Sequence, residues 1–336
     1  MFILGIETSC DETGIAIYNS KLKLIFNKVY SQIELHKTFG GTVPEIASRN
    51  HSYKIFELLL LTLKEAKLKL SAISLVAYTK GPGLVGSVLI GATLAKSISF
   101  ALKIPAIGIN HLEAHININL YCNNDITYPF LSLVISGGHT FLVEKSGSCV
   151  NNLLGETKDD SIGETFDKIA KLLKFEYPNG FSIENASEIF ARSKYSKLNL
   201  NFPIIDSTTF DFSFSGLKSH IFRFVKENEI NYFTRNELSY KLQDFIFENI
   251  VSKCIFAVKQ TGIKKIVVGG GVASNKFLRN KLFNSLSNLG IKVYFPDLEY
   301  CTDNGAMVAF NGFLKYKKNL FDKTFSINIF PRLPIT

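Results

Sequence analysis

The sequence predicts an α/β protein made of two related lobes. Length is the first reason, since 336 residues correspond to two domains of about 150 each. The second is a recurring pattern: residues 2–6 and 15–18 flank a polar turn, and the same form returns at 130–135 and 140–143, which indicates an internal duplication. The third is that strand-like and helix-like stretches alternate after each hairpin. A hydrophobic content of 46% with 20% charged residues excludes a disordered or fibrous chain.

Each element follows in order. Residues 2–6 and 15–18 read as strands around a turn, 7–14, rich in hydroxyl and carboxylate groups. A long amphipathic helix is expected at about 44–68, a strand near 75–79, a glycine-punctuated helix from Leu84 and a strand at 106–109. The second hairpin turns at Ser136-Gly137-Gly138-His139. Helices near 164–173, 217–227 and 237–260 come next. A buried strand at 265–268, a helix from Asn275, a strand at 293–295 and a last helix from Thr302 complete the chain. The expected lobes are 1–125 and 126–336, closely packed for want of a Pro/Ser-rich linker, with the last helix returning to the first lobe.

No apolar run reads as a membrane span. The longest uncharged stretch, 126–143, is broken by Pro129 and by Gly137-Gly138-His139. Residues 2–6, followed at once by Glu7, do not read as a signal peptide. Cys10, Cys122, Cys149, Cys254 and Cys301 are widely spaced and form no CxxC pair, so reduced thiols and a cytoplasmic location are expected. The net charge of +9 comes mainly from 32 lysines against 6 arginines. It is compatible with a nucleic-acid partner and does not by itself demonstrate one.

The sharpest local signal is His111-Leu112-Glu113-Ala114-His115, directly after a predicted strand. With Asn110 as N-cap, the histidines fall at i and i+4 on one helical face, where two imidazoles reach one metal ion. Zinc proteases carry glutamate beside the first histidine; Leu112 occupies that place, which disfavours a protease. A third, anionic ligand is expected from Asp303, in Cys301-Thr302-Asp303-Asn304-Gly305-Ala306-Met307. The alternative for that segment is that Thr302 caps the helix and Asp303 favours its dipole. Two histidines and one carboxylate suit iron(II) and zinc alike.

Glycine turns form a second constellation. Ser136-Gly137-Gly138 and Gly269-Gly270-Gly271 allow close backbone approach and can aim N–H groups at phosphate oxygens. There is no Gly-x-Gly-x-x-Gly or P-loop; Lys80-Gly81-Pro82-Gly83 lacks the Gly-Lys-Ser/Thr ending. Paired hairpins plus a strand–triple glycine–helix element are what the actin, Hsp70 and sugar-kinase ATPase fold requires: two duplicated RNase H-like lobes about an interdomain cleft.

Other candidates are less specific. Asp159, Asp160, Glu164 and Asp167 gather at a helix start, where the macrodipole favours them, and Asp167 is also placed to bind ribose hydroxyls. The loop Phe212-Ser213-Phe214-Ser215-Gly216-Leu217-Lys218 reads as packing plus an N-cap. Asp11 and Glu12 are the candidates for a catalytic carboxylate in the first turn, whereas Cys10 has no local base and reads as an inert thiol.

Taken in order, segments 5–13, 41–51, 81–84, 111–115, 136–140, 163–168, 212–218, 269–275 and 301–307 span nearly the whole chain. As a set they resemble the TsaD family of tRNA N6-adenosine threonylcarbamoyltransferases, formerly misnamed O-sialoglycoprotein endopeptidases. The resemblance implies an actin-like ATPase fold with one divalent metal, iron(II) first and zinc as the alternative, on His111, His115 and Asp303. It implies substrate contacts at Val134, Ile135, Ser136, Gly137, Gly138, Asp167, Gly180 and Asn275. The implied reaction moves threonylcarbamoyl from threonylcarbamoyl-AMP to N6 of the tRNA adenosine 3′ of the anticodon. The implied partners are tRNA, a TsaB-like paralogue, a TsaE-like ATPase and a threonylcarbamoyl-AMP synthase, with no membrane. The chain departs from the family at Asn179-Gly180-Phe181, after Tyr177-Pro178, where Gly-Gly-Pro is usual, and at Pro203-Ile204-Ile205, where bacterial members carry a basic segment. The alternative function is an ATP-dependent small-molecule kinase of the same fold, which has no need of His-x-Glu-x-His. A non-catalytic paralogue would lack the three metal ligands.

Overall fold

Alternating side chains fold β1 (Phe2–Glu7) onto β2 (Glu12–Asn19) as an antiparallel hairpin, with Ile6 opposite Ile15 and Phe2 opposite Asn19. β3 (Leu24–Ser31) extends this meander on one side. β4 (Ile73–Gly81) and β5 (Ala106–Asn110) join in parallel on the other, giving the order β3-β2-β1-β4-β5. The parallel strands are largely buried because both faces of the sheet are covered. After the short α1 (Ile33–Lys37), α2 (Pro44–Glu65) and α3 (Val85–Leu102) bury Ile55, Leu59, Ala95 and Ile98 against Leu4, Ile6 and Ile17. The opposite face takes α4 (His111–Asn117), α5 (Asn119–Cys122) and the last helix of the chain.

The computed structural model describes residues 1–147, 150–176, 179–193, 196, 198, 200, 202 and 208–335. Cys149, Tyr177-Pro178 and Pro203-Ile204-Ile205, singled out above, lie outside the described residues. The chain forms two units, Met1–Ile126 with Pro296–Thr336, and Thr127–Phe295.

The second unit repeats the first sheet. β6 (Phe130–Ile135), β7 (Thr140–Gly147) and β8 (Val150–Glu156) form an antiparallel meander. β9 (Lys265–Gly269) and β10 (Lys292–Tyr294) add in parallel, giving β10-β9-β6-β7-β8. Around this sheet lie α6 (Ile162–Leu172), α7 (Asn179–Ser193), α8 (Ser215–Glu227), α9 (Tyr232–Thr261) and α10 (Lys276–Ser287). The predicted duplication is therefore a repeated five-stranded topology.

The last helix, α11 (Gly305–Tyr316), packs on β1, β2 and β4. Glycine is required there: a Cβ on Gly305 would sit 2.6 Å from the Ala16 nitrogen, and one on Gly5 2.3 Å from the Gly305 oxygen. Beyond α11 the chain runs back as a strap. Asp322 accepts hydrogen bonds from Lys96 (2.6 Å) and Tyr78 (2.7 Å), Phe330 N–H donates to the Lys80 oxygen, and the Pro334 oxygen accepts from Asn110.

Four features differ from the sequence reading. β3, β8 and α7 were not expected; β8 reads Val-Asn-Asn-Leu-Leu-Gly-Glu and is largely exposed, so its alternation is weak. Residues 302–304 are not helical, because Asn304 rather than Thr302 caps α11, its Oδ1 accepting from Met307 N–H at 2.9 Å. Asp159 and Asp160 lie ahead of α6, whose cap is Ser161, and are not dipole partners within its first turn. Finally, α3 is long and apolar enough to cross a membrane by length and composition, against the expectation that no run qualifies. Half of it is buried, and Lys96 near its centre pairs with Asp322, as in a core helix.

Candidate metal centre and glycine turns

β5 ends in Asn110, whose Oδ1 accepts from the N–H groups of Leu112 (2.9 Å) and Glu113 (3.3 Å) and so starts α4 at His111. One turn apart, the two imidazoles meet edge to face at 4.7 Å. Asp303, freed from α11 by the Asn304 cap, reaches both: its Oδ1 lies 3.0 Å from His115 Nε2 and 3.5 Å from His111 Nε2. The ligand atoms of the three residues all lie within 4.8 Å of one another. Among the described residues they are the one such group of His, Cys, Asp and Glu side chains.

A second layer, missed in the sequence, holds the first. Glu7 Oε2 lies 3.1 Å from His111 Nδ1, and Ser9 Oγ lies 3.2 Å from the same nitrogen. Glu7 is itself fixed by Ser9 N–H at 2.5 Å and Thr79 Oγ1 at 2.6 Å. Engaging Nδ1 leaves Nε2 of His111 to face Asp303, which is the outer support that metal-bound histidines use. His115 Nδ1 is buried without a hydrogen-bond partner, so this support rests on His111 alone. Two converging imidazoles, a carboxylate and a carboxylate-held tautomer fit a divalent metal.

Electrostatics agree. Burial disfavours charge on His111, but Asp303 and Glu7 outweigh it and hold its pKa at about 9. Asp303 is held far below the usual carboxylate range because His111 and His115 overcome its burial. Glu12 is pushed well up by burial and by Asp11 and Asp303, and the Cys10 thiol likewise by burial, Asp11 and Asp303. A thiol so raised is not an available thiolate, which agrees with the inert reading of Cys10. The site favours a cation, and the pocket supplies carboxylate to receive one.

The polar turn carrying Asp11 and Glu12 is pinned by α2. His51 contacts Thr13 Oγ1 through Nδ1 (2.7 Å) and the Cys10 oxygen through Nε2 (2.9 Å). Glu113, between the two histidines in sequence, turns away from them and meets Lys315 of α11 at 3.2 Å. Leu112 stands where a zinc protease carries its glutamate, and Glu113 does not take over that place.

In the second unit, Val134 and Ile135 are wholly buried at the end of β6, just ahead of the 136–139 turn. Gly137 and Gly138 face open space, and the Gly137 oxygen accepts from Ser161 Oγ (2.5 Å). β9 runs parallel to β6 with Gly269 beside Val134, so the two glycine turns are neighbours at the carboxyl ends of adjacent strands. Gly270 has φ +92°, and a Cβ there would lie 2.4 Å from the Ile135 oxygen. Asn275 caps α10 through Leu278 N–H (2.9 Å) and donates to Gln243 (2.7 Å), which in turn donates to Ser187 of α7. Gly180 opens α7 with free space about it, and Asp167 is half-buried on α6. Asp159 clamps the 212–218 loop, accepting from Ser213 (2.6 Å), Phe214 N–H (2.7 Å) and Ser215 (2.8 Å). The loop's hydroxyls therefore serve Asp159 and do not cap α8.

Comparison with solved structures places this architecture. Full-length HypF in a phosphate- and nucleotide-bound form superposes with a TM-score of 0.62 at 15% identity, over 94% of this chain and 46% of that one, so the chain spans about half the length of HypF. Component A of the Acidaminococcus fermentans (R)-2-hydroxyglutaryl-CoA dehydratase gives 0.55 at 15% identity, over 95% and 98%. The protein is of the actin-like ATPase fold, in which a repeated β-meander with two parallel strands recurs. Sequence narrows this further. The model of the tRNA N6-adenosine threonylcarbamoyltransferase family, TsaD, matches residues 23–310. The enzyme of that name from Nitrosospira multiformis is 43% identical over 316 residues, 94% of this chain and 91% of that protein. The chain belongs to the TsaD family.

Proposed function

We propose that this protein transfers the threonylcarbamoyl group of threonylcarbamoyl-AMP to N6 of the adenosine 3′ of the anticodon, in tRNAs reading codons that begin with adenine. The observation that carries the reading is the convergence of His111, His115 and Asp303 in a chain of this family. In the reaction the N6 amine attacks the carbamoyl carbon, a C–N bond forms, the carbon–oxygen bond to the phosphate breaks, and AMP leaves as the amine loses a proton. His111, His115 and Asp303 would hold a divalent metal, iron(II) ahead of zinc, which would supply Lewis acidity to the threonylcarbamoyl group.

The protein's own residues position the reactants. Glu7 and Ser9 fix the His111 ring, and the Asn110 cap fixes α4. Glu12, whose carboxyl is pushed well up by burial and by Asp11 and Asp303, and Asp11 are the candidates to accept the amine proton. Substrate contacts are assigned to Val134, Ile135, Ser136, Gly137 and Gly138, and to Asp167, Gly180 and Asn275. The cap and Gln243 bonds of Asn275 leave one acceptor and one donor position on its amide.

A TsaB-like paralogue, a TsaE-like ATPase and a threonylcarbamoyl-AMP synthase complete the system in the cytoplasm, without a membrane. Exposed Tyr53, Phe56 and Leu60 on α2 and Val85 and Leu89 on α3 support a protein partner on that face. Mass analysis of tRNA nucleosides after depletion and rescue tests the reading. Rescue by the wild type and failure of His111→Ala and His115→Ala are expected, whereas unchanged threonylcarbamoyladenosine after depletion overturns the assignment. Elemental analysis of purified protein decides between iron and zinc.

A further inference from the structure

α6 and α8 pack side by side in the second unit, and beside them opens a cavity of about 470 Å³. It is lined by Leu172 and Phe222 and by four cations, Lys168, Lys171, Lys218 and Arg223. Two of these cations are already balanced. Asp160 receives Lys168 at 2.6 Å and Lys218 at 3.1 Å, and Glu164 also meets Lys168 at 2.8 Å. Lys171 and Arg223 are exposed and make no ion pair among the described residues.

Arginine is scarce in this chain, with six in all, and most are committed. Arg49 and Arg192 pair with glutamates of their own helices, while Arg235 and Arg279 lie over Phe175 and Phe295 at 4.5 and 4.8 Å. Arg223 has no such engagement. Beside it stands Phe222, 46% exposed, with the Lys226 ammonium 5.6 Å from its ring. Lys218, Phe222 and Lys226 follow at i, i+4 and i+8, so they share one face of α8.

This combination discriminates among anions. A small phosphate would use the two free cations and leave an exposed aromatic ring unexplained. Single-stranded RNA uses both, since bases stack on the ring and cations track the backbone. We propose that the groove between α6 and α8 binds the tRNA, with Lys171 and Arg223 on backbone phosphates and Phe222 stacking on an unpaired base. The assignment deepens the tRNA-modifying reading and rests on it for the identity of the RNA.

The test is filter binding of an unmodified tRNA transcript, with an anticodon reading a codon that begins with adenine, from about 50 to 200 mM salt. Lys171→Gln and Arg223→Gln should each flatten the slope of log affinity against log salt by about 0.7–0.9. Phe222→Ala should weaken binding about fivefold or more with the slope kept. In threonylcarbamoyladenosine formation the three variants should raise KM for tRNA and leave KM for threonylcarbamoyl-AMP unmoved. Wild-type slopes and affinities in all three overturn the proposal; so does a parallel titration with inorganic pyrophosphate, as a small-phosphate probe, in which the variants lose pyrophosphate binding and keep RNA binding. Binding is read whether or not the protein modifies tRNA. Flattened slopes in the variants, with a wild type that forms no threonylcarbamoyladenosine, would sink the functional reading and keep the groove, and unchanged slopes with an active wild type would sink the groove alone.

Discussion

Glu7 and Asp303 approach opposite sides of one imidazole: Glu7 Oε2 lies 3.1 Å from His111 Nδ1, and Asp303 Oδ1 lies 3.5 Å from its Nε2. The first carboxylate orients the ring and the second shares its cation. Replacing Glu7 by Gln keeps the shape but removes the charge that favours a proton on Nδ1. Metal affinity should fall about 10- to 100-fold, read by competition with a chelator of known affinity. An unchanged affinity would mean that Glu7 plays no part in holding His111.

Glu113 gives the opposite expectation. It lies within the His-x-Glu-x-His run yet faces Lys315. Glu113→Gln should cost about 2 kcal/mol in denaturant unfolding, because a charged partner is lost from a largely buried pair. The rate of threonylcarbamoyladenosine formation should stay at the wild-type level. A collapse in rate without loss of stability would return Glu113 to the chemistry.

The clamp on residues 212–218 is pH-sensitive. Burial raises the Asp159 pKa, but Phe214 N–H, Ser213 and Ser215 outweigh it; for Asp160, Lys168 and Lys218 do the same. Both end below the ordinary value of 3.8. Their stabilisation is therefore present above that value and lost as pH falls through the lower folded pKa. The Phe214 amide should be protected from hydrogen exchange at neutral pH and lose protection in Asp159→Asn. Equal protection in the two proteins would show that the loop holds without the carboxylate.

At Gly270 both backbone and space forbid a side chain, with φ at +92° and a Cβ 2.4 Å from the Ile135 oxygen. Gly270→Ala should lower stability by at least about 2 kcal/mol in chemical denaturation and disturb the neighbouring 136–138 turn. A neutral substitution would mean that the two glycine turns can move apart freely.

The strap depends on Asp322. Lys96 is 5% exposed, and its ammonium has the Asp322 carboxylate at 2.6 Å and the Thr324 oxygen at 2.9 Å. Asp322→Ala strands that charge and should cost about 3–5 kcal/mol. Limited proteolysis should then cut within 322–335, and wild-type resistance would show that the strap is held by its other contacts.

Much of this was legible in the sequence because it depends on local pattern. The hairpins at 2–18 and 130–143, the strand before Gly269 and the His111/His115 spacing are short-range signals, and each is found where expected. Asp303 was legible as a candidate, but that it stands ahead of α11 beside the histidines depends on which residue caps the helix, and Asn304 does so. Glu7, Ser9 and His51 were not assigned roles, because each acts across 38 to 104 residues of separation and carries no local signature. β3 and β8 escaped because sheet position rather than alternation makes them strands. The reach of Asp159 to Ser213 and Ser215 is equally non-local.

His115 and Asp303 are 188 residues apart, and the whole of the second unit is spelled out between them. During synthesis at about 5–20 residues per second, the histidine pair leaves the ribosome about 10–40 s before its carboxylate exists. A nascent chain thus holds an unfinished binding pocket while its inserted unit is still emerging. The gap makes completion of this three-residue cluster a property of chain order: an ion bound there would find all three side chains only when nearly all the polypeptide has been made.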